Sequence, residues 1–322
     1  MNLFDKDKGT PHFIDSLETG NNVSWFYRVQ EIVKKKTKNG DDFLDLTLMD
    51  KTGRLPAKVW SNVDEYHKLI RAGEVYRISG EVRDYRGKKQ FTVSHVRAVA
   101  ADDPGFDPGA FSETPPFDSE ALLGETFSLL EENVRDPHLR RLVELFREEY
   151  GPVFRQAYGA QKIHHAFAGG LLQHTHSLLK MILAIAPHYG LDKESLLIGA
   201  LFHDIGKTAE FKTQPALETT LAGGLLGHLV ISLKIFLEMK SKIADFPEAL
   251  SVRIQHLIVS HHGEKEFGSP EVPKTKEAYL LHLLDLLDSR LNIFSEQIKN
   301  GEDQKLFSEF NQALGTRILL DK

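Results

Sequence analysis

Apolar and polar residues alternate along the first third of the chain and recur every three or four positions along the rest. Phe43-Leu-Asp-Leu-Thr-Leu-Met-Asp50 places Leu44, Leu46 and Leu48 on one face, and Leu55, Ala57 and Val59 repeat the alternation around Lys58 and Trp60. Residues 23–33 are rich in β-branched and aromatic side chains, and two further runs, 74–84 and 89–99, flank the turn Tyr85-Arg-Gly-Lys88. A short helix is expected over 63–70. From Glu120 onward the spacing is helical to the end, with breaks at Pro152, at Pro187-His-Tyr-Gly190 and at Pro215. Between these regions, residues 101–118 hold four prolines and admit neither a regular helix nor a central strand, so they read as a linker or a wrapping loop.

Five short strands with a helix after the third is the order of an OB-fold, a small Greek-key barrel. A generic all-β sandwich is the plainer alternative. The chain is therefore expected to be multidomain: an all-β OB-fold barrel over 12–100, a Pro-rich linker over 101–118 and an all-α domain over 119–322. Its 322 residues suit about two domains of ordinary size.

Composition sharpens this picture in three places. There are no cysteines, which excludes disulfides and thiolate metal sites. No apolar run approaches the roughly 20 residues of a bilayer span, and Met-Asn-Leu-Phe-Asp-Lys-Asp-Lys lacks the order of a signal peptide; a cytoplasmic protein without membrane partners is expected. The net charge of −6 is unevenly divided. Residues 1–100 carry 18 Lys/Arg against 14 Asp/Glu, a net +4, and the remainder 22 against 32, a net −10. A basic half suits phosphates, and an acidic half with clustered histidines suits cations.

The cluster begins at Leu-Phe-His-Asp-Ile-Gly-Lys (201–207). His203 continues the spacing Leu196, Ala200, and Asp204 continues Leu197, Leu201, so both extend the apolar face of a helix. A carboxylate there must be paired, hydrogen-bonded or bound to a metal. A lone histidine on such a face is ordinarily a satisfied core residue; the adjacent Asp, and Lys207 one turn on, shift the balance. Lys207 could meet a phosphate as a point charge. Upstream, His174 and His176 flank a leucine stripe from opposite sides, and periodicity does not choose between them. Downstream lie His228 after a Gly-rich turn, His256, the pair His261-His262, and Asp285 and Asp288, which share a helix face among leucines. Imidazole with carboxylate suits first-row divalent ions such as manganese, iron, cobalt or zinc.

The series His174, His203-Asp204, Asp285 resembles the signature of the HD-domain metal-dependent phosphohydrolases. With His228 and His261-His262 added, it is similar to the members of that superfamily with two or more metals. Cyclic-dinucleotide phosphodiesterases share a double histidine after an apolar helix but continue with Gly-Tyr-Pro, where this chain reads Ser260-His-His-Gly-Glu-Lys-Glu-Phe-Gly-Ser-Pro270. An OB-fold, a linker, then His164-His-x-Phe-x-Gly-Gly-Leu-Leu-x-His174-Thr and Ser-His-His-Gly…Gly-Ser-Pro together resemble the bacterial YhaM-type 3′→5′ exoribonucleases over about residues 15–315.

The resemblance implies an all-helical catalytic domain, two divalent ions with manganese foremost, and single-stranded RNA or DNA as substrate. By analogy with the superfamily Asp204 would bridge the ions, His174, His203 and Asp285 completing one and His228, His261 and His262 the other. His165 and Lys207 are candidates to hold the phosphate; His256 and Asp288 are expected behind the ligands. A divalent ion acidifies water near neutral pH, and a second stabilises the attacking and leaving oxygens. On the barrel, Phe43, Lys58 and Trp60 are expected to point outward, and Tyr85, Arg86 and Lys88 crowd one hairpin, so these six are the expected strand-binding residues; the plainer alternative is that Trp60 caps the barrel and the hairpin charges form a solvated edge. The Lys34-Lys-Lys36 run reads as a solvated hairpin tip. The alternatives are a nucleotide or cyclic-dinucleotide phosphohydrolase whose helical domain regulates a binding module and, less favoured, a binding protein with a dead site. Oligomeric state is left open.

Overall fold

The computed structural model describes residues 11–100, 103–111, 115, 117–159, 167–212, 218–300 and 306–320. Contacts divide the chain into two units, Met1–Thr114 with Thr213–Glu218, and Pro115–Lys212 with Thr219–Lys322.

The first unit is a closed five-stranded barrel in the order β1-β2-β3-β5-β4. Its strands are β1 (Asn22–Lys36), β2 (Asp42–Asp50), β3 (Gly53–Val59), β4 (Val75–Tyr85) and β5 (Lys88–Ala98), with helix α1 (Val63–Leu69) after the third. This is the expected OB-fold order. Leu44, Leu46, Leu48, Leu55, Ala57 and Val59 are buried, as the alternation requires. Closure depends on β1. Its first half pairs with β4 (Asn22↔Glu81 to Arg28↔Val75) and its second with β2, with an irregularity between Val29 and Glu31. A strand bent at a bulge can serve two neighbours, which removes the sheet edge. β3 and β5 pair in parallel through Ala57↔Phe91 to Val59↔Val93. Arg86 (φ 57) and Gly87 (φ 78) turn the β4–β5 hairpin, as a two-residue loop with positive φ at both positions demands.

Two features differ from expectation. The lysine run is not the turn of the β1–β2 hairpin but the exposed strand end leading into it: β1 pairs with β2 through Lys36↔Asp42, and acids face the lysines. Lys34 lies 3.0 Å from Asp42 and 2.7 Å from Asp64, and Lys35 lies 2.7 Å from Asp45. The Pro-rich stretch is also not a uniform linker, since its described residues 103–111 belong to the barrel. Ala110 and Phe111 are buried in the barrel core, Phe106 packs on Phe26 and Phe111, and Arg97 grips Asp103 through two bonds of 2.6 and 2.7 Å.

The second unit is helical: α2 (Ser119–Asn133), α3 (Pro137–Phe154), α4 (Gly170–Ile185), α5 (Lys193–Phe202), α6 (Lys207–Glu210), α7 (Leu221–Lys240), α8 (Glu248–Ser260) and α9 (Lys276–Asn300). Four of these helices, α2, α3, α5 and α7, start at side-chain caps. Asp118, Asp136, Asp192 and Thr220 each accept from backbone N–H groups of the first turn. α5 is the central element, with every residue from Ser195 to Phe202 buried. One core of leucine, isoleucine and phenylalanine runs through α2 to α9, distinct from the barrel core.

α7 is the segment that bears on the expectation that no apolar run approaches the roughly 20 residues of a bilayer span. Its 20 residues pass for a span by length and composition alone, but the non-helical Gly227 divides them, so the unbroken helix covers only 228–240. His228, Lys234, Glu238 and Lys240 also interrupt its apolar residues, so no unbroken run approaches that length. Its buried residues Ile231, Ile235, Phe236 and Met239 lie in the helical core.

Candidate metal centre and nucleic-acid face

The buried chemistry gathers where several helices end or bend. His203 caps α5 with helical backbone angles, and Asp204 follows it in a turn. His261 caps α8 and His262 is the next residue. His228 stands directly after Gly227, whose φ of 69° and ψ of 161° break α7 and which only glycine adopts readily. His174 lies within α4, and Asp285 and Asp288 lie within α9. The Asp204 turn meets α7 at a close approach: Gly206 N–H donates to Ser232 Oγ at 2.8 Å, and a Cβ on Gly206 would lie 2.2 Å from the His228 carbonyl oxygen.

Three sets of three ligand atoms each fall within 4.8 Å of one another: His174, His203, Asp285; His203, Asp204, His261; and His228, His261, His262. His174 Nε2 is 3.3 Å from His203 Nε2 and 3.1 Å from Asp285 Oδ1. Asp204 Oδ2 lies 3.4 Å from His203 Nε2, while Asp204 Oδ1 faces His228 Nε2 at 3.3 Å and His261 Nε2 at 3.6 Å. His228 Nε2 is 3.2 Å from His262 Nε2. Asp204 therefore stands between the two groups of histidines.

The tautomers follow from what holds each ring. His203 Nδ1–H donates to the Ala200 carbonyl at 2.8 Å and His261 Nδ1–H to the Ile258 carbonyl at 2.8 Å. Both Nε2 atoms then carry lone pairs aimed into the site. His174 Nδ1 is 2.7 Å from Asp288 Oδ2, and Ser177 Oγ–H donates to the other Asp288 oxygen at 2.5 Å. Asp288 thus orients His174 from behind, a carboxylate–histidine pair of the kind that supports metal ligands.

Lone pairs and carboxylates pointing at one another repel unless a cation lies among them. Burial opposes charge on His174, but Asp285 and Asp288 outweigh it and push the imidazole up to about 9. Burial would raise Asp285, yet His174 beside it, with His261 and His203, holds its carboxyl well below the usual range. Asp204 is held low against its own burial by Lys207, His203 and His261. Burial pushes the His261 imidazole down, which keeps it neutral. Asp204 Oδ1 is buried and accepts no hydrogen bond from any described residue. An orphaned carboxylate oxygen ringed by imidazole nitrogens fits divalent ions. The residues that could hold them are His174, His203, Asp204, Asp285, His228, His261 and His262.

The structure also sorts the other candidates. Lys207 Nζ pairs with Asp204 Oδ2 at 2.6 Å and so lies beside the cluster. His165 lies outside the described residues. His176 turns away to Thr126 Oγ1 at 3.1 Å, and burial lowers its pKa. His256 is not behind the ligands, because its Nε2 accepts the Lys274 backbone N–H at 2.9 Å. Three participants escaped the sequence reading: Ser177 behind Asp288, Glu210 beside His228, and His282, whose Nδ1–H donates to the His261 carbonyl at 2.9 Å. None lies in a motif; only the spacing Asp285-x-x-Asp288 hinted that acids stand behind histidines.

On the barrel, two groups emerge. Phe43 and Trp60 stack with centroids 4.9 Å apart at 27°, and Lys58 Nζ lies 5.2 Å from the Phe43 ring centroid. Trp60 is 51% exposed, enough to offer a ring face. Lys58 is also bound to Asp45 at 2.6 Å, which neutralises much of its pull on a phosphate. Tyr85, Arg86 and Lys88 share the β4–β5 hairpin, with Tyr85 56% exposed and the Arg86 guanidinium 5.3 Å from its ring centroid.

Residues 171–290 match the HD domain family, and residues 27–99 match the OB-fold nucleic acid binding domain family. Among curated proteins, the chain is 32% identical over 296 residues to the 3′-5′ exoribonuclease YhaM of Listeria monocytogenes, covering 91% of this chain and 92% of that one. It is 30% identical over 301 residues to the 3′-5′ exoribonuclease YhaM of Bacillus subtilis, covering 92% and 95%. Both alignments run through barrel and helical unit alike, and on that extent the chain belongs to the YhaM family of 3′-5′ exoribonucleases.

Proposed function

We propose that this protein is a metal-dependent 3′→5′ exonuclease of single-stranded RNA, able to take DNA as well, which holds the strand on its barrel and hydrolyses it at the His/Asp cluster. The observation that carries the reading is Asp204, whose two oxygens face different histidine groups. A carboxylate so placed suits a bridge between two ions. His174, His203 and Asp285 would hold one, and His228, His261 and His262 the other. Manganese is the first choice for such a nitrogen and oxygen set, with cobalt, iron or zinc also compatible. When bound, the ions supply Lewis acidity toward the phosphodiester and acidify water.

The chain's own residues do the rest. Neutral imidazoles limit the negative charge that would repel a phosphodiester. Asp288 and the Ala200 and Ile258 carbonyls fix ring orientation, so the ligands need not reorganise. Lys207, paired with Asp204 at 2.6 Å, presents its ammonium where it can hold a phosphate oxygen. Phe43 and Trp60 offer a stacking platform worth about 1–3 kcal/mol per base, and the hairpin cations Arg86 and Lys88 track the backbone.

The test uses a single-stranded RNA labelled at its 5′ end. Stripped protein should leave it intact, and added manganese should yield a ladder shortening from the 3′ end. Undiminished hydrolysis by protein shown metal-free, or shortening from the 5′ end, would overturn the reading.

A further inference from the structure

We propose that Glu210 is the positioning residue of the second half of this site, holding His228 with Nδ1–H on its carboxylate and Nε2 turned toward Asp204 and His262. The proposal rests on the two-ion reading above and concerns how its halves are built.

The half containing His174 shows the pattern. That imidazole lies between two carboxylates, Asp285 at 3.1 Å from Nε2 and Asp288 at 2.7 Å from Nδ1. His228 also lies between two carboxylates, with Asp204 at 3.3 Å from Nε2 and Glu210 Oε2 at 3.3 Å from Nδ1, a looser approach than that of Asp288 to His174. His203 and His261 differ from both, because backbone carbonyls hold them. Each half therefore has one carboxylate-backed and one carbonyl-backed histidine.

Glu210 is built in rather than swinging free. Its side chain is only 13% exposed. Thr220 N–H donates to the Glu210 carbonyl at 2.9 Å, and Thr220 Oγ1–H donates to the Ala209 carbonyl at 2.8 Å. A Cβ on Gly223 would lie 2.4 Å from the Glu210 carbonyl oxygen and 2.9 Å from Glu210 Cγ, so the first turn of α7 can press on Glu210 only as glycine. The same helix then bends at Gly227 and delivers His228. Charge gives the arrangement its purpose. The His174 half has Asp285 and a share of Asp204 as its anionic ligands, whereas His228, His261 and His262 share only Asp204. Glu210 supplies that half with a carboxylate behind the ring, which raises ligand basicity.

The experiment is a calorimetric titration of stripped, full-length protein with manganese, read alongside thermal denaturation. Wild type should take up two ions. Glu210→Ala should keep one at its original affinity and weaken the other about 10–100-fold. Glu210→Gln, which retains an acceptor for Nδ1–H, should recover part of the loss. Asp288→Asn should weaken the opposite ion. Two ions bound by Glu210→Ala at wild-type affinities would overturn the proposal, as would equal loss of both ions in the Ala and Gln variants, which marks a structural role. A wild type that takes up fewer than two ions would overturn the two-ion reading itself, and Glu210 with it.

Discussion

Gly206 sets the distance between the Asp204 turn and the helix that delivers His228, and Gly206→Ala measures what that distance is worth. The backbone there is φ −57°, ψ −23°, so alanine suits it conformationally and only space is at issue. The added Cβ would lie 2.2 Å from the His228 carbonyl oxygen, 2.7 Å from Ser232 N and 2.9 Å from Ser232 Oγ. Two of these three are backbone atoms and cannot swing aside, so reaching ordinary contact requires the segments to part by about 1 Å. Overpacking of this kind costs about 1–3 kcal/mol. In a unit of this size each kcal/mol lowers the melting temperature by roughly 2–4 °C. The larger effect falls on activity, since a misplacement of about 1 Å at a reacting centre costs on the order of a hundredfold. The assay is turnover of a labelled single strand at saturating manganese together with thermal denaturation. Gly124→Ala in α2 is the control. Nothing lies within 4 Å of its added Cβ, so the variant should gain about 0.5–1 kcal/mol and keep full activity. Wild-type turnover and melting in Gly206→Ala would refute the reasoning that backbone spacing at this glycine positions His228.

Asp204→Ala should lose metal by elemental analysis and hydrolysis by more than about a hundredfold, yet keep its affinity for a long oligonucleotide, because the proposed strand-binding face belongs to the other unit; wild-type turnover would contradict the bridging role. His174, pushed up from 6.5 to about 9 by Asp285 and Asp288, should make the stripped protein pH-sensitive. A raised imidazole stabilises the fold fully below about 6.5 and loses that contribution as pH rises through about 9, so melting should fall across that window in chelator; a flat profile there would show that the two carboxylates do not hold the proton. Trp60→Ala should weaken oligonucleotide binding by about 1–3 kcal/mol, most visibly at high salt where phosphate contacts are screened, and unchanged binding would remove the Phe43–Trp60 stack from the strand-binding face.

Much of the barrel was legible because β2 and β3 bury every second residue, and a period of two survives in sequence without knowledge of partners. The end of β1 was not, since nothing local to Lys34–Lys36 shows their backbone pairing with β2 or the acids Asp42, Asp45 and Asp64 that face them. Proline content correctly marked 101–118 as irregular but concealed that Phe106 and Phe111 seat part of it on the barrel. In the helical unit, His203 and Asp204 could be found from an apolar face that polar residues ought to avoid. Periodicity within α4 could not choose His174 over His176; the family resemblance did, and the physical reason is Asp288, on a helix more than a hundred positions away. Glu210 had no local signal either, because it sits in a four-residue helix with no apolar stripe to violate.

The break at Gly227 has a kinetic consequence. It leaves residues 221–226 as a helical stub too short to persist alone, held by the Thr220 cap and the contact of Gly223 with Glu210. Such a stub can open while the rest of α7, anchored by Ile231, Ile235 and Phe236, stays closed. Amide hydrogens of the stub and of His228 should therefore exchange with solvent faster than those of 231–239. On the two-ion reading, the same opening would give an ion on the His228 side a route in and out that does not require the domain to unfold, so that the two halves of the centre would trade metal with the surroundings at different rates.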